Sequence, residues 1–193
     1  MPLPKPADRE HLHTRKITCE GYLRKDGLWD LEAHLTDTKT FGFDTRHRGY
    51  MEPGAPVHGL HLRVTMDLDF LIHDVVAVSD DTPYPVCKQT AETMRKLIGI
   101  RIGPGWMREV RSRVERNASC THLMELLGPL ATTAYQTMHS ALEERANQQA
   151  VKSRPRILDT CIALRSDGPE VRERWPEFYT GPQDVEAGES GSN

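Results

Sequence analysis

The sequence has no run of about 18 apolar residues, the minimum for a membrane-spanning helix, so no transmembrane segment is expected. Its opening, Met1-Pro2-Leu3-Pro4-Lys5-Pro6, lacks the apolar centre of a signal peptide. No Cys-x-x-Cys occurs: Cys19, Cys87, Cys120 and Cys161 stand far apart. That spacing excludes the standard zinc-knuckle and thioredoxin motifs and reads as reduced thiols in a cytosolic chain. There is no excess of one charge either. The formal net charge is −3 with acids and bases interspersed, which argues against a protein that reads nucleic-acid phosphates by bulk charge. The basic cluster Arg108, Arg111, Arg113 and Arg116 reads as a solvated helix face. The glycines of Gly99–Trp106 are not followed by Lys-Ser/Thr and follow no strand, so a phosphate-binding loop is rejected for a tight turn between helices. No internal repeat is visible.

What is present is a globular composition. The chain has 193 residues, 37% hydrophobic and 27% charged, enough for one domain with a real core. One α+β domain over 13–178 is expected. An antiparallel β-meander of about four strands (13–80) comes first, and a helical half (88–176) packs on its apolar face. Residues 1–12 read as a flexible proline-rich arm and 179–193 as a disordered Gly/Ser/Glu tail.

The clearest feature is a hairpin from about Thr14 to Thr38. Ile17, Cys19 and Leu23 alternate with charged and polar residues, and so do Trp29, Leu31, Ala33 and Leu35. A two-residue Asp26-Gly27 turn would oppose Leu23 to Asp30 and mix the two faces. A three-residue loop, Lys25-Asp26-Gly27, opposes Leu23 to Trp29, Gly21 to Leu31, Cys19 to Ala33 and Ile17 to Leu35, so the apolar faces match. Such a loop is a type I turn closed by a left-handed residue, where Gly27 falls.

A glycine- and proline-rich stretch over 40–56 reads as a long loop. Leu60, Leu62, Val64 and Met66 mark a third strand, and Leu71–Val78 a fourth, joined by a turn near Asp67–Phe70. Helical spacing then marks three segments: Ala91–Ile98, ended by Gly99; Trp106–Val114, opened by Pro104; and a long helix through Leu123–Leu142. Pro129 should kink that helix or remove one hydrogen bond. A short apolar piece, Ile157–Leu164, precedes a last short helix opened by Asp167-Gly168-Pro169.

Two constellations could carry chemistry. On the polar face of the meander the register opposes Tyr22 to Asp30, Glu20 to Glu32 and Thr18 to His34, and the third strand adds His61, Arg63 and Asp67. The plain reading is the wet side of a one-sided sheet. The functional reading needs that face covered by the 40–56 loop or by a second subunit, as in a homodimer. Glu32 or Asp30 could then act as base, Arg24 and Arg63 as cationic stabilisers, and Tyr22 and His34 as positioning groups. The second constellation is Cys120-Thr121-His122, with Glu125 one turn on, at the start of the long helix. There a thiol gains from the helix's positive end. Cys120 and His122 could pair as nucleophile and base, or bind a metal with Cys87; helix capping and an ordinary buried cysteine are the plain readings. The remaining histidines, among them His11, His13, His47, His58, His73 and His139, receive no role.

The run Gly21-Tyr-Leu-Arg-Lys-Asp-Gly-Leu-Trp-Asp-Leu-Glu-Ala-His-Leu-Thr-Asp-Thr-Lys39 resembles the N-terminal signature of the bacterial family known as domain of unknown function 2889. So do Leu97-Ile-Gly through Gly105-Trp106, and Cys120-Thr-His-Leu-Met-Glu-Leu-Leu127. The resemblance covers about residues 15–145. It implies a bacterial, cytoplasmic protein and brings no catalytic residues with it. It also suggests an activity in the breakdown of aromatic, lignin-derived compounds: a lyase without a cofactor that releases formaldehyde from a hydroxymethyl group. The expectation is therefore a small-molecule enzyme; a metal protein and a non-catalytic scaffold are the alternatives.

Overall fold

The computed structural model describes residues 3–148, 154–155 and 157–182. The chain divides into two compact units, Met1–Leu142 and Glu143–Asn193. The first carries an N-terminal antiparallel sheet followed by helices, an α+β fold. Its strands are β1 (His13–Leu23), β2 (Trp29–Lys39), β3 (Phe43–Thr45), β4 (Gly49–Met51), β5 (Pro56–Met66) and β6 (Ile72–Asp81). The main sheet has the order β1-β2-β5-β6, and β3 and β4 form a separate two-stranded ribbon. The expected 40–56 loop thus holds a short hairpin. Its period is too brief and too glycine-rich to show in the sequence, and Met51 is its one buried residue.

The first hairpin has the register that face matching requires. Leu23 opposes Trp29, Gly21 opposes Leu31, Cys19 opposes Ala33 and Ile17 opposes Leu35. Gly27 takes φ +85°, and the Arg24 N–H donates to the Leu28 carbonyl at 2.8 Å to close the loop. Asp26 is a turn residue: its carboxylate accepts from the Leu28 N–H at 3.2 Å and pairs with Arg24 at 2.6 Å. One feature departs from the half-buried expectation. β1 is the edge strand, and its apolar residues stay largely outside, with Ile17 38% and Leu23 63% exposed.

Burial alternates from Trp29 to Asp37 on β2 and from Leu60 to Val64 on β5. Trp29, Leu31, Ala33 and Leu35 lie inside with Leu60, Leu62, Val64 and Met66. Against them pack Met94, Leu97, Val110, Leu123, Leu126, Leu127, Leu130, Ala134 and Met138. Fully burying each of the Leu, Val and Met side chains is worth about 1.5–3 kcal/mol, which makes this layer the main stabilising contact of the unit. The helices are α1 (Trp106–Arg113), α2 (Thr121–Gln148) and, in the second unit, α3 (Pro169–Arg174). The expected Ala91–Ile98 helix is a 3₁₀ segment over Pro85–Leu97. Gly99, φ +81°, follows it, and its N–H returns to the Ile72 carbonyl at 2.8 Å. The Ile157–Leu164 piece holds only a 3₁₀ turn at Ile162–Leu164, with Ile162 79% exposed.

α2 continues through Pro129. It runs alongside β1 in the same direction: Arg15 meets Glu125, Cys19 lies beside Thr133, and a Cβ on Gly21 would fall 1.9 Å from Thr137 Oγ1. Six strand residues and twelve helix residues both span roughly 18–20 Å, so the two elements keep step. Gly21 is what lets them approach. Most of the expected tail, 183–193, lies outside the described residues. No helix among the described residues is long and apolar enough to cross a membrane.

Candidate functional site

The apolar phase of three adjacent strands ends in charge. Running along β2, the inward positions Leu31, Ala33 and Leu35 are followed by Asp37, whose side chain is 4% exposed. On β1 the same phase places Arg15 directly opposite Asp37, and on β5 it places His58 opposite Asp37 from the other side. The start of α2 arrives over this corner and delivers His122 and Glu125. A β-bulge between Asp37 and Thr38 follows at once.

A buried carboxylate is costly unless it is paired. Asp37 is paired on every side. Arg15 grips it two-pronged, with Nε on Oδ1 and Nη2 on Oδ2, each at 2.8 Å. His13 Nε2 lies 3.1 Å from Oδ1 and His58 Nδ1 2.9 Å from Oδ2. Arg15 also pairs with Glu125. Burial alone would raise the Asp37 carboxyl, but Arg15 first and then His58 outweigh it and hold it at about 2. Asp37 is therefore charged near neutrality and can only accept.

That settles the proton on His58. Its Nδ1 must carry the hydrogen that Asp37 accepts, so in the neutral ring Nε2 holds the lone pair. Burial pushes His58 below the ordinary histidine value, against the upward pull of Asp37. His122 is lowered too, first by burial and then by His58, whose ring centroid lies 3.8 Å away. His122 Nε2 stands 3.8 Å from Asp37 Oδ2, and its Nδ1 lies 3.8 Å from Cys120 Sγ. The result is two neutral imidazoles beside a fixed ion pair, a setting for moving protons near neutral pH. One donor atom each from Asp37, His58 and His122 also lie within 4.8 Å of one another, a spacing that could enclose a metal ion.

The charged face of the meander is arranged differently. Tyr22, Glu20 and Thr18 oppose Asp30, Glu32 and His34 as the register requires. Arg63 approaches Glu32 at 3.7 Å, with both side chains 46% exposed. Arg24 binds Asp26 at 2.6 Å and reaches Asp30 at 3.5 Å, while Thr65 Oγ1 donates to Asp30 at 2.6 Å. His34 stacks on His61 with centroids 4.1 Å apart, and His61 faces Asp80 at 3.4 Å. Burial lowers His34, with His61 adding to the effect, and Glu20 raises the Tyr22 phenol. Asp67 is not with them: it caps the β5–β6 turn, accepting from the Asp69 and Leu71 N–H groups and pairing with His73 at 2.9 Å. The groups on this face touch one another in pairs; Glu32, Arg63 and Arg24 stand 40–46% in solvent, whereas Asp30 is 19% exposed. A half-open pocket of about 340 Å³ lies off this face, beside His47, Arg48, Asp80, Thr82, Pro85 and Lys88.

Of the cysteine set, the structure brings Cys120 to His122, and Cys120 lies close enough to Cys87 to raise its thiol after burial has done so first. Residue types alone do not reveal Arg15, Asp37 and His58 as a group. Phase does: each is a charged or titratable side chain at an inward position, and the three fall in one cross-strand row.

The family model described as "Protein of unknown function (DUF2889)" matches residues 13–136, and the chain belongs to that family. No curated protein and no solved structure matches it.

Proposed function

We propose that the protein is a small-molecule enzyme whose reaction centre is His58 held on Asp37, with His122 and Arg15 beside it. The carrying observation is the 2.9 Å contact from His58 Nδ1 to a buried carboxylate that Arg15 already fixes. A carboxylate so held orients an imidazole and frees its other nitrogen as a general base. This favours the Asp37 corner over the charged face: Glu32, Arg24 and Arg63 are 40–46% exposed and screened by water, Tyr22 is 46% exposed, Asp30 is held by Thr65, and His34 is stacked on His61.

The reaction we assign is the one the family resemblance suggests: carbon–carbon cleavage in an aromatic, lignin-derived compound that releases formaldehyde from a hydroxymethyl group. His58 Nε2 takes the hydroxyl proton and the O–H electrons become the formaldehyde carbonyl. The pair from the broken bond stays on the substrate carbon, which recovers a proton from the imidazolium. The imidazolium formed on His58 balances the negative charge that builds up on the substrate. A bacterial, cytoplasmic setting and a homodimer belong to the same proposal. The test is formaldehyde release from aromatic compounds bearing a hydroxymethyl side chain. His58→Gln should lose about 10²–10⁴-fold, the worth of a general base, and Glu32→Gln should retain activity. Loss with Glu32→Gln and not with His58→Gln returns the site to the charged face.

A second reading has its own observation. Two histidines and a carboxylate within 4.8 Å form a ligand set for a divalent transition metal. It stands second because Asp37 already accepts four hydrogen bonds, two from Arg15 and one each from His13 and His58. That fills the roughly four lone-pair positions of a carboxylate, so a metal would have to displace one. Metal content of protein grown in metal-replete medium decides it. A stoichiometric ion lost from both His58→Gln and His122→Gln establishes the metal centre.

A further inference from the structure

We propose that two copies of this chain pair through their β1 edges, antiparallel and two-fold symmetric about Thr18, forming one continuous eight-stranded sheet. β1 is an eleven-residue edge strand with no proline and no bulge in its pairing with β2. The Arg24 N–H bonds Leu28 toward β2, so by antiparallel alternation the even residues of β1 bond inward. The odd residues His13, Arg15, Ile17, Cys19, Gly21 and Leu23 turn their N–H and C=O groups to the open edge, where His11 Nε2 meets the His13 carbonyl at 3.0 Å. A long edge that pairs with no further strand among the described residues and carries Ile17 and Leu23, 38% and 63% exposed, is a template for another strand.

Charge selects the occupant and the register. A second β1 must pair odd residues with odd residues to satisfy both edges. Centring on Lys16 or Glu20 sets like charges face to face. Centring on Thr18 opposes Lys16 to the second copy's Glu20, twice by symmetry, and opposes Ile17 to Cys19. Lys16 and Glu20 then occupy the close, non-hydrogen-bonded positions, where an opposite-charge pair contributes most. Centring on Ile17 or Cys19 forms no such pair. The same strand carries Arg15 and His13, two of the three residues bound to Asp37, so pairing would clamp one wall of the reaction centre.

The test needs no substrate: sedimentation equilibrium of the full chain, with cysteine cross-linking. Wild type should be a dimer at micromolar concentration. Lys16→Glu should weaken it at least tenfold, and Lys16→Glu/Glu20→Lys should restore it. Thr18→Cys should form a disulfide dimer above the wild-type background, since residues facing each other at the two-fold lie about 4.5 Å apart at Cα, within disulfide reach. Thr14→Cys, four residues from the axis, should not. A monomer at all concentrations overturns the proposal, as does a dimer that Thr18→Cys fails to cross-link or that Lys16→Glu leaves unchanged.

Discussion

Replacing Asp37 with asparagine keeps the shape of the side chain and removes its charge. The folded protein holds this carboxyl at about 2 against an ordinary 3.8. At about 1.4 kcal/mol per pH unit, that preference for the charged form is worth about 2 kcal/mol. The amide also leaves Arg15 with Glu125 as its remaining carboxylate. Orphaning one partner of a fully buried pair costs about 3–5 kcal/mol, which is an upper limit because the Arg15 side chain is 32% exposed. Asp37→Asn should therefore lose about 2–3 kcal/mol at pH 7 by urea denaturation. A depressed carboxyl stabilises the fold at pH values above its unfolded value, and that contribution fades as pH falls from about 4 through 2. The gap between wild type and Asp37→Asn should close over the same window. A variant within about 0.5 kcal/mol of wild type at pH 7, the ordinary effect of a surface change, refutes the reasoning. So does a gap that stays constant down to pH 2.

Gly21→Ala drives a methyl group into Thr137 and should cost about 1–3 kcal/mol, the range for overpacking; Gly21→Ala/Thr137→Ala should recover part of it. Denaturation midpoints of the single and double variants check this, and a neutral Gly21→Ala contradicts the close passage of α2 over β1. Among the thiols, burial raises Cys19 and Cys87, whereas Cys161 is exposed. Mass-spectrometric mapping of alkylation at pH 8 should find Cys161 modified well before those two.

The hairpin was readable because only one loop length lets both strands keep their apolar residues on one side. Fold class, strand order and the sites of the helices followed from the same periodicity. Three features did not. The β3–β4 ribbon is three residues a side, too short for alternation to register. The Pro85–Leu97 segment has helical spacing but winds as 3₁₀, a difference of backbone geometry that side-chain pattern does not encode. The exposure of β1 depends on which strand lies outermost, a property of the whole sheet. The Asp37 corner was half legible. His122 stood out beside Cys120 at the start of α2, but Arg15, Asp37 and His58 lie at the ends of their strands, just past the apolar runs. Carrying the alternation two residues further would have placed all three inward. Their convergence needs the register of three strands at once.

A charged Asp37 holds His58 as a neutral ring with its proton on Nδ1. Nitrogen-15 NMR of the histidine rings, followed from pH 8 to pH 4, observes both the tautomer and the titration. His58 should show an Nδ1–H tautomer, a midpoint below the ordinary 6.5, and a further downward shift in Asp37→Asn, where the charge that raises it is gone. A proton on Nε2, or a midpoint at or above 6.5, contradicts this assignment.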